Sequence, residues 1–90
     1  MTITEVKVTL RDGEALKAFV TMTIDNAFII KNIKIIEGKN GMFISMPSLR
    51  GKNGEFRDVA HPINTETRNE IEKIIFDKYN ETVQALEVKS

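Results

Sequence analysis

The chain has no cysteine and a single histidine, His61. Structural zinc sites and disulfide frameworks both require several such side chains, so neither is available to this sequence. No apolar run approaches the roughly 18 residues that cross a membrane. The alternating N-terminus lacks the charged and apolar segments of a signal peptide. The sequence therefore predicts a cytoplasmic protein with no metal, no cofactor and no membrane insertion.

An excess of either charge is also lacking, since thirteen basic residues balance thirteen acidic ones. A net charge of zero argues against a strongly electrostatic nucleic-acid binder of the histone kind. The charges are nevertheless unevenly placed, because residues 31–57 contain six bases and two acids, whereas residues 64–90 contain four bases and six acids. The six bases are Lys31, Lys34, Lys39, Arg50, Lys52 and Arg57.

The length of the chain, 90 residues with 41% hydrophobic content, is enough for one domain spanning residues 1–90. Chains of this small size often gain the rest of their stability from a metal, from disulfides or from oligomerisation. Only oligomerisation remains for this sequence. We therefore expect a homodimer, formed through strand edges or through a sheet face.

Turn signals divide the first two-thirds of the chain. Asp12-Gly13, Asn40-Gly41 and Asn53-Gly54 each have the composition of a type I′ hairpin turn, and Asp25-Asn26 is a further turn candidate. Segments of β type lie between them, at residues 3–10, 16–24, 27–36, 42–46 and 55–60, with a bend or bulge predicted at Lys31-Asn32. Five strands within about residues 3–60, joined mostly by tight turns, predict an antiparallel meander.

The period of the apolar residues changes after Pro62. Asn64 is a good helix N-cap, Glu66 suits the first turn, and neither glycine nor proline follows. An apolar stripe recurs at helical spacing through Ile71, Ile74, Ile75, Tyr79 and Val83. The pattern predicts an amphipathic helix over about residues 65–80 and a tail from residue 82 to 90 that frays. One sheet with one C-terminal helix is an α+β domain.

Candidate catalytic side chains are few and poorly spaced. Asp58 and His61 lie three residues apart on a predicted strand, so they are expected on opposite faces. Ser45 and Ser48 have no neighbouring base and no glycine elbow. The tetrapeptide Gly-Lys-Asn-Gly occurs twice, but it lacks the spacing of a phosphate-binding loop. We expect no enzyme activity and no catalytic residue.

The loop between the last two predicted strands is long and basic, which favours a functional role. Arg50, Lys52 and Arg57 could hold a nucleic-acid backbone, with Phe56 available for stacking on a base. Secondary candidates for the same contact are Lys31, Lys34 and Lys39. From composition and spacing alone, a solvated hairpin tip is slightly favoured over this contact.

Several short sequence motifs in this region resemble those of one known family. They are Gly41-x-Phe43-Ile44-x-Met46-Pro47-Ser48, Gly54-Glu55-Phe56-Arg57-Asp58 and Ala60-His61-Pro62-Ile63-Asn64, and further matches upstream extend the resemblance from residue 1 to about 80. Through these motifs the chain resembles the SpoVG family, whose members are called stage V sporulation protein G or septation protein SpoVG. The resemblance implies a bacterial, non-enzymatic, dimeric regulator that binds DNA, and in some members RNA, and is linked to sporulation and septum formation.

The resemblance also implies a set of nucleic-acid contact residues, and one position differs from the family pattern. Arg50 and Arg57 match two basic positions to which the family's nucleic-acid contact is attributed. Leu49 stands where the family usually has lysine, and Lys52 adds a charge in a turn that usually reads Thr-Pro-Asp-Gly. A different interpretation stays open, in which the protein is an interaction module of the division or sporulation machinery that does not bind nucleic acid.

Overall fold

The computed structural model describes residues 2–89, with side chains as far as Leu86. Its elements are β1 (Ile3–Leu10), β2 (Leu16–Ile24), β3 (Phe28–Gly38), β4 (Gly41–Ser45), β5 (Ser48–Arg50), β6 (Phe56–Asp58) and α1 (Thr65–Lys89). β1 to β4 form one antiparallel sheet in sequence order, and β5 pairs with β6 in a separate two-stranded sheet. The predicted α+β fold, an antiparallel meander followed by a C-terminal helix, is confirmed.

The last predicted strand does not join the main sheet. It is shorter than expected, Phe56–Asp58, and it pairs antiparallel with β5. The reason lies at Pro47, which lies two residues after Ser45, the last paired residue of β4, and has no backbone N–H for a further ladder hydrogen bond. The chain therefore leaves the sheet at this point and forms its own hairpin.

The four turns differ in type. Asp25 and Asn26 both have φ of 52°, and the Ala27 amide donates a 3.0 Å hydrogen bond to the Ile24 carbonyl, as a type I′ turn requires. The type I′ prediction is wrong at the other sites, because Asp12, Asn40 and Asn53 all have negative φ. At the latter two, only the following glycine, Gly41 or Gly54, takes positive φ, at 115° and 82° respectively. At both turns, the residue that takes positive φ is thus the glycine that follows the asparagine.

The predicted bulge at Lys31-Asn32 is confirmed. Thr21 on β2 faces both residues, since its neighbours Val20 and Met22 pair with Ile33 and Ile30. Asn32 has φ of 64°, in the left-handed region that asparagine tolerates better than most residues. The extra residue changes the side-chain alternation, so that Ile30 before the bulge and Ile33 after it both contribute to the core.

The core lies between one face of the sheet and α1. Its buried members are Val6, Ala18, Val20, Met22, Ile33, Ile35, Ile44, Met46, Ile71 and Ile75. Asn64 caps the helix as predicted, because its Oδ1 accepts a 2.7 Å hydrogen bond from the Thr67 amide. The apolar stripe also includes Phe76, which the spacing had not indicated and which packs against the core.

The helix is longer than its sequence pattern predicts. The expected end lies near residue 80, yet α1 continues to Lys89. No glycine or proline interrupts residues 65–89, so the sequence contains no signal that ends the helix earlier. Ion pairs also join successive turns, from Lys73 to Asp77 at 2.7 Å and from Lys78 to Glu81 at 3.5 Å. No helix within residues 2–89 has the length and apolar character needed to cross a membrane.

The sheet face opposite the helix is not covered by α1, and we call it the open face. The side chains on it alternate with the core residues, so β2 contributes Phe19 and Thr21 while β3 contributes Lys34 and Ile36. Phe43 on β4 pairs with Ile36 and is half exposed. The open face therefore mixes threonine, lysine and aromatic side chains.

Candidate nucleic-acid interface

The β5–β6 hairpin, which we call the ribbon, carries the basic loop. Every residue of both strands is exposed, so the ribbon stands away from the core. Its tip is closed by hydrogen bonds from the Gly51 amide to the Glu55 carbonyl, at 2.7 Å, and from the Gly54 amide to the Gly51 carbonyl, at 3.1 Å. At its base, the Val59 amide donates to the Pro47 carbonyl at 2.8 Å. These bonds fix the hairpin as a defined, solvent-facing arm.

Arg50 and Arg57 lie on opposite faces of the ribbon. Arg50 pairs across the strands with Phe56, whereas Arg57 pairs with Leu49. Cross-strand partners share a face and neighbouring pairs alternate, so the two guanidinium groups project to opposite sides. The Arg50 side chain folds over the tip, where a Cβ atom on Gly54 would lie 3.7 Å from its Nη2 atom. The two arginines therefore cannot both contact a ligand that covers a single face.

Lys52 occupies the centre of the tip, between the closing glycines, and is exposed. Four ion pairs join described side chains, and they involve none of the six predicted contact residues. Glu55 and Asp58 are the acids of the ribbon, against the bases Arg50, Lys52 and Arg57. The ribbon therefore offers cations whose hydrogen-bonding capacity is not used by the acidic side chains described here.

The three lysines of β3 and its turn are spread along the strand. Lys34 lies on the open face opposite Phe19 and Ser45, next to the base of the ribbon. Lys31 lies in the bulge and is exposed. Lys39 lies at the other end of β3, roughly 16 Å from Lys34 at about 3.3 Å per residue. The fold thus brings Lys34 to the ribbon and holds Lys39 away from it.

The positive charge near Lys34 and the ribbon is larger than the two acids in residues 31–57 suggest. Glu37, one of the two acids in residues 31–57, forms a 3.2 Å ion pair with Lys17. The Lys17 ammonium also donates a 3.1 Å hydrogen bond to the Gly13 carbonyl. Because Glu37 is paired outside the segment, its charge offsets that of Lys17 and not that of Lys34 or the ribbon.

Sequence reasoning missed Arg11 and Phe19. The Arg11 guanidinium carbon lies 5.1 Å from the centroid of the Phe19 ring, within the range of a cation–π contact. Phe19 is half-buried and lies beside Lys34, its partner in the strand pairing. A signal was present in the sequence, since Phe19 is the one aromatic among the polar positions Lys17, Thr21 and Thr23.

The candidate catalytic pair shows no joint geometry. His61 follows the end of β6, and its Nδ1 atom lies 3.0 Å from the Pro62 carbonyl oxygen, to which it donates when protonated there. Among the described residues, no hydrogen bond or ion pair connects His61 with Asp58. The geometry gives no support to a general-base arrangement at this position.

Comparison with known proteins points to one family. The family model described as SpoVG matches residues 1–81. A protein named "Putative septation protein SpoVG" from Clostridium perfringens is 50% identical over 90 residues, covering 99% of each chain. The protein of the same name from Acetivibrio thermocellus is 52% identical over 80 residues, covering 88% of this chain and 85% of its own. That from Bdellovibrio bacteriovorus is 45% identical over 86 residues, covering 96% and 80%.

Proposed function

Because the chain belongs to the SpoVG family, we propose that it is a dimeric, nucleic-acid-binding regulatory protein that acts in the cytoplasm in connection with septation and sporulation. The names of its relatives support the link with septation. The observation that carries the nucleic-acid contact is the ribbon, an exposed hairpin with three cations that make no ion pair with the described acids.

The ribbon has the chemistry of a phosphate contact. Arg50 and Arg57 present planar guanidinium groups that can bind a phosphate through two hydrogen bonds each. Lys52 at the tip supplies a third charge with more freedom. Phe56 is 68% exposed on the same face as Arg50, so its ring is accessible for stacking on an unpaired base.

The substitution at Leu49 defines how this protein differs from the family pattern. Leu49 is 66% exposed and shares a ribbon face with Arg57. A lysine at this position would add a second charge to that face. We therefore expect the Arg57 face to rely less on charge, and the Arg50 face and Lys52 to provide a larger share of the phosphate contacts.

A dimer is part of the proposal, because large apolar side chains remain exposed on the single chain. Phe28, Ile29, Met42 and Phe43 all lie on β3 or β4, and β4 is an edge strand of the sheet. Covering a few hundred Å² of such surface would contribute several kcal/mol at about 25 cal/mol per Å². We expect light scattering at micromolar concentration to give twice the chain mass of 10.2 kDa. A mass of one chain would contradict the dimer.

Nucleic-acid binding is tested by the dependence of affinity on salt. With about six phosphate contacts per dimer, the logarithm of the association constant should fall with that of salt concentration at a slope near −5. Affinity would then drop about 10³-fold between roughly 50 and 200 mM salt. Fluorescence anisotropy with labelled DNA and RNA measures this slope. Undetectable binding, or an affinity independent of salt, would contradict the proposal.

A second candidate function rests on the charge of the helix. Residues 64–90 carry six acids and four bases, which suits a protein partner better than a polyanion. In this alternative the protein is an interaction module for division or sporulation proteins. Pull-down from a cell extract treated with nuclease separates the two, because partners retained after digestion favour the interaction module.

A further inference from the structure

A groove of about 330 Å³ lies between the ribbon and the open face of the sheet. Its walls are Phe19 on one side and Leu49 and Val59 on the other, and its polar lining includes Asn32, Lys34 and Ser48. The remaining lining residues are Met46 and Pro47. The volume lies at the lower end of the range for small-ligand pockets, about 300–1,000 Å³. The groove thus has the size for one flat, partly polar group.

The lining matches the parts of a nucleotide. An aromatic ring and two aliphatic side chains suit the faces of a base, since base–aromatic stacking is insensitive to sequence. The Asn32 amide can donate and accept hydrogen bonds, as a base edge requires, and so can the Ser48 hydroxyl. Lys34 is the charged residue of the lining, and no acid belongs to it. The charge of the groove is therefore complementary to a phosphate.

Two surrounding features extend this complementarity. Arg11 places a guanidinium group 5.1 Å from the centroid of the Phe19 ring, and guanidinium planes also stack on bases. Arg57 shares its ribbon face with Leu49, so it belongs to the side of the ribbon that borders the groove. A nucleic-acid strand that enters the groove would thus contact cations on both the sheet side and the ribbon side.

The backbone at Asn32 is held in an unusual conformation at this position. A φ of 64° is uncommon for a residue other than glycine, and here it arises from the bulge that breaks the strand alternation. Bulges are frequent where a side chain is redirected toward a binding site. At this bulge, Asn32 contributes to the groove while Ile30 and Ile33 remain in the core.

We propose that this groove binds an unpaired base of a single-stranded nucleic acid, with Phe19 stacking on the base, Asn32 contacting its edge and Lys34 contacting the adjacent phosphate. The inference rests on the proposed nucleic-acid binding and adds to it a preference for single strands over duplexes. A base inside a duplex is stacked on its neighbours and cannot enter the groove unless it is first displaced. The ribbon arginines, in contrast, can contact the phosphates of either form.

The test compares a labelled single-stranded oligonucleotide of mixed sequence with the duplex of the same sequence, by fluorescence anisotropy on the full chain. The substitution Phe19→Leu should weaken single-strand binding about 5- to 100-fold and leave duplex binding unchanged. Phe76→Leu is the matched control, since Phe76 is also a partly buried phenylalanine, lies on α1 and does not line the groove. It should leave both affinities unchanged.

A second variant keeps the test valid if Phe19→Leu impairs folding. Asn32→Gly removes the amide, and glycine adopts the positive φ of this position without strain. Single-strand affinity should fall about 3- to 10-fold. Asn26→Gly is its control, because Asn26 also has positive φ, at 52°, and lies outside the groove. Circular dichroism of all four variants verifies that each is folded.

The outcomes separate this inference from the proposed function. If the protein binds duplex, and if Phe19→Leu and Asn32→Gly cause no loss of single-strand affinity, the proposed binding of a base in the groove would be overturned. The proposed phosphate contact of the ribbon would not be affected. No binding of either nucleic acid would overturn both. Competition by a free mononucleotide at the same concentration as the oligonucleotide would show a small-molecule site, and would also overturn the proposed occupant.

Discussion

Replacing Ile75 by alanine should lower the free energy of unfolding by about 2–5 kcal/mol. Ile75 is fully buried in the interface between α1 and the sheet, and α1 is the one helix that covers the sheet in residues 2–89. Truncation removes apolar contacts and leaves a cavity that the surrounding strands cannot fill. A domain of this size has a total stability of roughly 5–15 kcal/mol, so the variant should be close to unfolding.

The measurement is urea denaturation followed by circular dichroism, with Ile63→Ala as the matched control. Ile63 is 89% exposed and precedes the helix cap, so the same truncation there should change stability by less than about 0.5 kcal/mol. Equal stability of the two variants would mean that the helix does not pack on the sheet through Ile75. The comparison should be made at one protein concentration, because a dimer adds stability that depends on concentration.

Replacing Arg50 and Arg57 together by alanine should reduce nucleic-acid affinity by more than about 100-fold at low salt, since hydrogen bonds to charged groups contribute about 1.5–3 kcal/mol each. A nucleic acid that contacts both ribbon faces would lose four of about six phosphate contacts per dimer, and the salt slope should change from near −5 to near −2; one that contacts a single face would lose two, and the slope should change to near −4. Both side chains are exposed and make no ion pair with the described acids, so the fold should not change.

The control for this pair removes the same charge elsewhere. Arg68 and Lys73 are exposed on α1, and their double alanine variant has the same net charge as the ribbon variant. If both double variants lost affinity equally, overall charge and not the ribbon would determine binding. The single variants Arg50→Ala and Arg57→Ala show which ribbon face binds the nucleic acid, because the two arginines lie on opposite faces. A ligand bound to one face should be sensitive to only one of them.

The main sheet could be predicted from sequence because its determinants are local. Alternation placed Val6, Val8 and Leu10 together on β1, and the composition of Asp25-Asn26 specified the turn that the structure contains. The bulge at Lys31-Asn32 was also predicted, since the polar pair interrupts a run of isoleucines. Each of these features depends on residues within a few positions of one another.

The remaining features depend on contacts that sequence spacing does not contain. Pro47 directs the chain out of the sheet, so the strand expected to be fifth became half of a separate ribbon. Arg50 and Arg57 were grouped as one charged site, yet strand pairing places them on opposite faces. Phe19 and Leu49 lie thirty residues apart in the sequence, and the groove between them forms only when the ribbon lies beside the open face.

The strand order β1-β2-β3-β4 also bears on how the chain folds. Every strand of the main sheet pairs with its neighbour in sequence, so the sheet can form as successive hairpins with short loop closures. The packing of Ile71 and Ile75 with Val6 is different, because it joins residues near the two ends of the chain. Contacts between distant residues carry the largest entropy of loop closure. Rapid formation of the meander, followed by docking of the helix as the slower step, is therefore the order that this topology favours.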